Sequence, residues 1–238
     1  MNVKLLILAS HPFIDAYLQS DSLGKLIFIA LGLLSVISWI LLVYKVWLTQ
    51  KMSTLSTEFR HQFLKSKHKI FEIETATPQQ YNPFGSIYSV LKRYSIDLLN
   101  KNRQFGKSDE GIYLSPSDLD FVGAHIYNEV AMQTKFLEKN LFILATVVSL
   151  APFLGLLGTV WGILTTFSQL QMQGGSQVVL GGLSMALATT VLGLIDAIPA
   201  LVGYSFLKNK IREFQTDMDG FATEMLATVE LQYRKVDE

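Results

Sequence analysis

The apolar stretch Leu141–Phe167 limits the possible folds of this chain more than any other feature. It contains no charged residue and is longer than the roughly 20 apolar residues that a helix needs to cross a bilayer. Gly155, Thr159, Gly162 and Thr166 recur at intervals of four, three and four, so they share one helix face. Such a small, slightly polar face is of no use against lipid. The stretch therefore predicts a membrane span that packs closely on another helix or lines a narrow passage.

The composition supports a membrane protein. Half of the 238 residues are apolar, and they are concentrated in three runs instead of being spread along the chain. This distribution predicts an all-α membrane protein with three transmembrane helices and long helical extensions outside the bilayer. The formal net charge of zero gives no reason to expect nucleic acid as a partner, and the lack of cysteine excludes disulfides and zinc–thiolate sites. We expect neither a cofactor nor a metal site.

The three runs divide the chain into seven segments. These are an N-terminal segment (1–22), a first span (23–48), a polar helical insert (49–140), a second span (141–167), a short loop (168–177), a third span (178–207) and a C-terminal helix (208–238). Lysine and arginine are concentrated in the insert and at the start of the tail, and the short loop has none. By the positive-inside rule, the insert and tail are cytoplasmic and the N-terminus is outside.

Two local patterns predict how the insert is built. Ser115, Pro116 and Asp118 mark a helix start, with Ser115 as the N-cap and Asp118 as its capping-box partner. From there the apolar pattern predicts a helix that runs toward the second span, with no helix-breaking residue on the way. Lys45 is the one charged residue in the run Leu26–Leu48, and we expect its long side chain to snorkel toward the interface.

The tail carries apolar residues at alternating intervals of three and four. They are Ile211, Phe214, Met218, Phe221 and Met225. This narrow stripe fits a coiled-coil seam, and it fits equally an amphipathic helix that packs on the insert of the same chain. Both alternatives remain open from the sequence.

The third span is small along one whole face. The face consists of Gly182, Ala186, Thr189, Gly193, Asp196, Ala200 and Gly203. Asp196 is the one acid in any span, and a carboxylate at the centre of a membrane helix costs about 2.5–3.5 kcal/mol on insertion scales. It is therefore a candidate functional residue, although a protonated or hydrogen-bonded aspartate near the end of the span would also explain it. Pro152 in the second span and Pro199 in the third predict helix kinks.

Matching small faces on the second and third spans predict that these helices pack together. Small stripes most often mean close packing, and we assign this role to Gly155, Gly158, Gly162, Gly182, Ala186, Gly193, Ala200 and Gly203. Repeating the helix pair as a ring would let hydroxyl groups line a central passage that relays protons. The candidate ion-path residues are Thr159, Thr189, Thr190 and Asp196.

Two segments of the spans resemble a known family. They are Ser149–Ile163, SLAPFLGLLGTVWGI, and Ala186–Ala200, ALATTVLGLIDAIPA, with a weaker match around Ser22–Ile27 and Ser38-Trp39. These residues look like the TolQ/ExbB family of inner-membrane motor proteins, which is related to the flagellar stator subunit MotA. The short N-terminus and the first-span match are closer to TolQ than to ExbB.

The resemblance implies a homo-pentamer of three-span subunits in the bacterial inner membrane, in contact with lipid. The ring surrounds the membrane helices of a TolR/ExbD-type dimer, and a TolA/TonB-type protein carries the force across the periplasm. The family's pore threonines fall on Thr159 and Thr190, where both would face the aspartate of the partner helix. Proton flow through this interface would drive the motor.

Two positions depart from the family pattern. The family usually has a glutamate where this chain has Met185, and a small residue where it has Asp196. We hypothesise that Asp196 takes over part of the missing acid's work on the cytoplasmic exit path. If so, replacing Asp196 with asparagine would impair function.

Other classes of function fit the sequence less well. An intramembrane enzyme needs paired acids, or a nucleophile with a base. In the three spans Asp196 is the one acid, and no histidine occurs. Gly155–Gly162 lacks the Gly-Lys-Ser/Thr ending of a phosphate-binding loop. We therefore expect no enzymatic activity. A passive oligomeric scaffold would explain the stripes and tail equally well, but it gives no reason for Thr159, Thr190 and Asp196.

Overall fold

The chain is largely helical in the computed structural model, which describes residues 12–66, 70–73, 81–105, 113–173 and 176–233. The described helices are α1 (Pro12–Gln19), α2 (Ser22–Lys65), α3 (Pro83–Phe105), α4 (Pro116–Glu138), α5 (Leu141–Gln173) and α6 (Ser176–Tyr233). Three helical stretches, Ser22–Lys65, Pro116–Gln171 and Gly181–Tyr233, are long and apolar enough to cross a membrane. The predicted all-α fold with three spans and long helical extensions is confirmed.

The chain forms two compact units, to which α2 and α6 both contribute residues. The first unit comprises Met1–Tyr44 and Asn140–Phe206, and the second comprises Lys45–Lys139 and Leu207–Glu238. The core of the first unit is formed by buried side chains of the three spans, namely Ile27, Leu31, Val147, Ala151, Ala197 and Ala200. Many large apolar side chains on the outer faces of these spans remain exposed in the single chain.

The second unit has an aromatic core centred on Phe221, which is fully buried. Its ring stacks on Phe84 with a centroid distance of 4.4 Å and meets Phe63 edge-on at 5.2 Å. The predicted stripe of the tail, Ile211, Phe214, Met218, Phe221 and Met225, is buried throughout. Of the two alternatives for the tail, the structure therefore has the amphipathic helix that packs on the insert of the same chain.

The start of α4 confirms the predicted capping box. The Ser115 hydroxyl oxygen accepts a hydrogen bond from the Asp118 backbone N–H at 3.2 Å, and an Asp118 carboxylate oxygen accepts one from the Ser115 backbone N–H at 3.0 Å. Asn102 on α3 donates to the same carboxylate oxygen at 3.0 Å. The cap therefore also links α3 to α4.

The end of α4 separates this helix from the second span. The helix ends at Glu138, Lys139 has extended ψ, and Asn140 has a positive φ of 68° before α5 begins at Leu141. Asparagine adopts this left-handed conformation more readily than most residues, because its short polar side chain tolerates it. The helix thus runs toward the second span, as predicted, but it ends at Glu138 although no glycine or proline lies there.

Lys45 also differs from its prediction, because its side chain is buried and does not snorkel. It is 3% exposed, and its Nζ donates a hydrogen bond of 2.8 Å to the Leu137 carbonyl oxygen. Leu137 lies in the last turn of α4, where carbonyl groups lack partners within the helix. The ammonium group therefore caps the negative end of α4, a position where helix electrostatics favour a cation.

The connection between the second and third spans is shorter than expected. Helix α5 continues to Gln173, through most of the residues assigned to the loop 168–177, and α6 begins at Ser176. Neither glycine nor proline occurs between Ser168 and Gln173, so nothing in the sequence ends the helix earlier. Both helices also continue on either side of their internal prolines, Pro152 and Pro199.

Candidate functional site

The second span, on α5, and the third span, on α6, pack so closely at their glycines that the two backbones are in contact. A Cβ atom built on Gly162 would lie 2.8 Å from the Gly182 carbonyl oxygen, and one on Gly193 would lie 2.6 Å from the Ala151 carbonyl oxygen. Gly158 lies against the Thr189 side chain in the same way. These contacts run in opposite directions along the two helices, so the spans are antiparallel and their small faces meet.

Thr190 and Gly155 form a polar link across this contact. The Thr190 hydroxyl donates to the Gly155 carbonyl oxygen at 3.1 Å, and Thr190 is half-buried. Thr159, one turn further along α5, is also half-buried and donates to the Leu156 carbonyl oxygen of its own helix at 2.7 Å. Each hydroxyl proton is used in a hydrogen bond to the backbone, while each hydroxyl oxygen can still accept a hydrogen bond from water or an acid.

Thr189 has a different environment from Thr190. Its side chain is fully buried, and its hydroxyl donates to the carbonyl oxygens of Met185 at 3.1 Å and Ala186 at 3.0 Å. The side chain fills the space beside Gly158. The structure therefore places Thr189 inside the packed contact between the spans, whereas Thr159 and Thr190 are partly open to the surface of the chain.

Asp196 lies against the first span, away from the two half-buried threonines. It is 6% exposed, and its carboxyl group faces the Ser35 side chain on α2. Ser38, one turn further along α2, is also buried, and its hydroxyl donates to the Ser35 carbonyl oxygen at 2.9 Å. The structure does not join Asp196 to Thr159 or Thr190. Its predicted place on an exit path stays a prediction.

The first and third spans run parallel, in a register set by three contacts. Met185 packs on Gly24, Asp196 pairs with Ser35, and a Cβ atom on Gly203 would contact Leu42. These pairs advance along α2 and α6 by equal numbers of residues. The small face of α6 thus meets α5 over its first half and α2 over its second half. Ala200 lies in this second half and is buried in the core of the first unit.

Two polar side chains, Ser35 in the first span and Asp21 just before it, were not predicted from the sequence. Ser35 is not conspicuous in the sequence, because a serine in a membrane helix often bonds only its own backbone. Asp21 was missed as well: one carboxylate oxygen accepts from the Gly24 N–H at 2.9 Å, and the other accepts from the Trp161 indole N–H at 2.8 Å. The spacing of Ser35 and Ser38 on one helix face was the available signal for a polar contact.

The described part of the chain offers no obvious place for a metal ion. Among those residues, no group of three or more histidine, cysteine, aspartate or glutamate side chains could hold one. The polar groups described above in the first unit are serine and threonine hydroxyls, the Trp161 indole and the carboxyl groups of Asp21 and Asp196.

Known proteins resemble this chain in the region that contains the second and third spans. The sequence profile of the MotA/TolQ/ExbB proton channel family matches residues 108–220. The chain is 44% identical over 100 residues to the biopolymer transport protein ExbB of Aquifex aeolicus, a match that covers 41% of this chain and 68% of the relative.

Longer matches are less identical. The chain is 27% identical over 224 residues to ExbB of Salmonella typhimurium, covering 93% of this chain and 86% of the relative. It is also 27% identical over 224 residues to the Tol-Pal system protein TolQ of Haemophilus influenzae, covering 91% and 92%. Because the two long matches have equal identity, they do not separate TolQ from ExbB, and the expected closeness to TolQ stays a prediction.

Proposed function

The chain belongs to the MotA/TolQ/ExbB proton channel family, and from this premise we propose that it is the channel-forming subunit of a Tol/Ton-type motor. Family membership and the three apolar helices make it a multi-pass inner-membrane protein. In the proposed role it couples the proton-motive force to a periplasm-spanning partner, for envelope integrity or energised outer-membrane transport. One elementary charge crossing 100 mV releases about 2.3 kcal/mol, so several protons can drive a conformational cycle without a nucleotide.

The observation that carries this proposal is the arrangement of Thr159 and Thr190 around Gly155. The two hydroxyls come from facing helices, and both keep an oxygen that can accept a hydrogen bond. A protonated carboxyl group on a neighbouring helix could donate to either oxygen as it loses or gains its proton. We propose that these hydroxyls line the ion path and face the carboxyl group of a partner protein.

The exposed apolar surface of the spans supports an assembly. Large exposed side chains cover the outer faces of α5 and α6, among them Val160, Ile163, Leu164, Leu187, Val191 and Leu194. Lipid and further subunits can both cover such a surface. We propose a homo-pentamer in contact with membrane lipids, surrounding a TolR/ExbD-type dimer and acting on a TolA/TonB-type protein. The basic insert and tail are then cytoplasmic and the N-terminus periplasmic.

A passive oligomeric scaffold is the second candidate. It is favoured by the hydrogen bonds of the threonines, since Thr159, Thr189 and Thr190 all donate to carbonyl groups of their own chain. Hydroxyls that only stabilise helix packing make such bonds as well. The scaffold would hold single-span partners without conducting ions.

Proton flux into liposomes separates the two candidates. The chain is reconstituted with its TolR-like partner, and wild type is compared with T159V and T190V, which keep the side-chain shape but remove the hydroxyl. T146V is the matched control, because Thr146 lies on the same helix and its hydroxyl donates to the Phe142 carbonyl oxygen at 2.9 Å. Assembly of each complex is verified by size.

We expect flux in wild type and in T146V, and at least a tenfold lower flux in T159V and T190V with the complex intact. If wild type conducts no protons, the motor proposal is wrong and the scaffold is favoured. If wild type conducts and the two valine variants conduct equally well, the channel stands but its path does not include these hydroxyls.

A further inference from the structure

We propose that Asp196 and Ser35 form a proton-binding site inside the subunit, between the first and third spans and separate from Thr159 and Thr190. The site is built from two helices of one chain, so it does not require a partner protein. It also does not depend on whether the assembled protein conducts protons.

Burial and register define the site. Asp196 is 6% exposed on α6, and its carboxyl group faces the side chain of Ser35 on α2. The contacts of Gly24 with Met185 and of Leu42 with Gly203 hold the same two helices together on either side of this pair. The carboxyl group is therefore enclosed by the α2–α6 contact.

Among the described residues of the first unit, the one lysine or arginine lies well away from Asp196 and Ser35 along the helices. In the described part of the first unit, the charged residues besides Asp196 are Asp15, Asp21 and Lys25. Lys25 lies ten residues before Ser35 on α2, about 15 Å along the helix, and the two acids lie further away in sequence. The described residues of α5 in this unit carry no charge.

The charged residues that follow on the same two helices are also distant. Lys45 lies ten residues after Ser35 on α2, and its Nζ is bonded to the Leu137 carbonyl oxygen. Lys208, the next charged residue on α6, lies twelve residues after Asp196. Burying a carboxylate without a cation in an apolar helix bundle costs free energy. Binding a proton removes the charge and therefore this cost.

The chemistry of the pair suits a proton better than a metal cation. Hard divalent cations take six or more oxygen ligands, whereas the polar side chains here are those of Asp196, Ser35 and Ser38. The Ser38 hydroxyl already donates to the Ser35 carbonyl oxygen at 2.9 Å. A hard divalent cation at this site would therefore have too few side-chain oxygen ligands.

Ser35 can satisfy both protonation states of the carboxyl group. When a proton from water binds to one carboxyl oxygen, the neutral acid donates its O–H to the Ser35 hydroxyl oxygen. When the proton returns to water, the Ser35 O–H donates to the carboxylate instead. The α2–α6 contact therefore encloses a neutral pair when Asp196 is protonated and a buried charge when it is not. The stability of this contact then depends on whether the proton is bound.

Infrared spectroscopy of the full-length protein in liposomes tests this site, because a protonated carboxylic acid has a carbonyl stretching band that a carboxylate lacks. Spectra are recorded through a pH titration for wild type, D196N, S35A and D15N. Asp15 is an exposed acid on α1 and serves as the matched control. D196A is a second variant in case asparagine perturbs folding, and each variant is checked for unchanged size and helicity.

At neutral pH we expect a carboxylic acid band in wild type and D15N, its loss in D196N and D196A, and a shift of its frequency in S35A. If the band is absent from wild type at neutral pH, or survives in D196N, Asp196 does not hold a proton and the proposal is overturned. A band at an unchanged frequency in S35A would overturn the pairing with Ser35. Disappearance of the band when sodium replaces potassium at constant pH would show a metal cation site instead.

Discussion

Thr190 on α6 donates its hydroxyl proton to the Gly155 carbonyl oxygen on α5, over a distance of 3.1 Å. This bond differs from those of Thr159 and Thr189, which donate to carbonyl groups of their own helices. The absence of a side chain at Gly155 makes it possible, because a Cβ atom there would lie 3.0 Å from the Thr190 Cα. Close approach and polar contact therefore depend on the same glycine.

We predict that T190V lowers the free energy of unfolding by about 0.6 kcal/mol, the average for hydrogen bonds between membrane helices. T190S keeps the hydroxyl and should lose less. The measurement is denaturant-induced unfolding of the purified protein in detergent micelles. Equal stability of T190V and wild type would mean that the bond makes no net contribution to the folded state.

Substitution of a glycine at the α5–α6 contact should lower the stability more than T190V does. In G193A, the new Cβ atom would lie 2.6 Å from the Ala151 carbonyl oxygen, a backbone atom that cannot move without shifting the helix. We predict a loss of about 1–3 kcal/mol of stability, which is typical of overpacking in a tight core. Thermal unfolding in detergent measures it.

Gly32 provides the matched control for this substitution. It lies on a membrane-spanning helix as well, but a Cβ atom there would meet nothing within 4 Å. G32A should leave the stability unchanged or raise it by up to about 1 kcal/mol, because alanine is the better helix former. If G193A and G32A have the same effect, the close approach of α5 and α6 does not limit stability.

The start of α4 was predictable from the sequence, whereas its end was not. Ser115, Pro116 and Asp118 act within a few residues of one another, so their pattern determines the local structure. The break at Asn140 involves neither glycine nor proline, and it depends on one residue adopting a positive φ. The energetic difference between a helical and a left-handed asparagine is too small for the sequence to settle the choice.

The candidate site was predictable in its parts but not in its pairing. The intervals of the small residues on α5 and α6 identified the faces that meet, since helical periodicity is a property of each segment alone. The partner of Asp196 depends instead on the register between α2 and α6, which are far apart in the sequence. Nothing local to Ser35 or Asp196 encodes that register, so Ser35 was missed.

Lys45 offers a test of a buried charge at a helix end. Its Nζ donates to the Leu137 carbonyl oxygen at 2.8 Å, and K45M keeps the length of the side chain while removing the donor. Hydrogen bonds to charged groups contribute about 1.5–3 kcal/mol, part of which is offset by the cost of burying the ammonium. We therefore predict that K45M lowers the free energy of unfolding by about 1–2 kcal/mol in denaturant titrations.

Lys51 is the control for Lys45, because it lies six residues along the same helix but is exposed, with its Nζ 4.8 Å from the centre of the Trp47 ring. The Lys51 Nζ also lies 4.9 Å from the centre of the Tyr81 ring. Exposed cation–π contacts contribute about 0.5–1 kcal/mol each, and K51M leaves no buried carbonyl group unpaired, so it should be the milder variant. A K45M protein that is as stable as K51M would show that burial of the ammonium cancels its hydrogen bond to α4.

Asp118 predicts how the stability of the second unit depends on pH. Burial by itself would raise the pKa of the Asp118 carboxyl, but hydrogen bonds from Ser115 and Asn102 and the charge of Lys101 lower it below its ordinary value of 3.8. The folded state thus favours the carboxylate. Its contribution to stability is fully present above the ordinary pKa and is lost as the pH falls through the lower pKa of the folded state.

We expect D118A to be less stable than wild type by about 1 kcal/mol at pH 7, the typical value of a helix cap, and this difference should shrink as the pH is lowered below about 4. Unfolding monitored by circular dichroism at a series of pH values gives the difference directly. D120N is the control, since Asp120 is an exposed acid in the same turn of α4. A difference between D118A and wild type that is as large at pH 3 as at pH 7 would mean that Asp118 stabilises α4 without its charge.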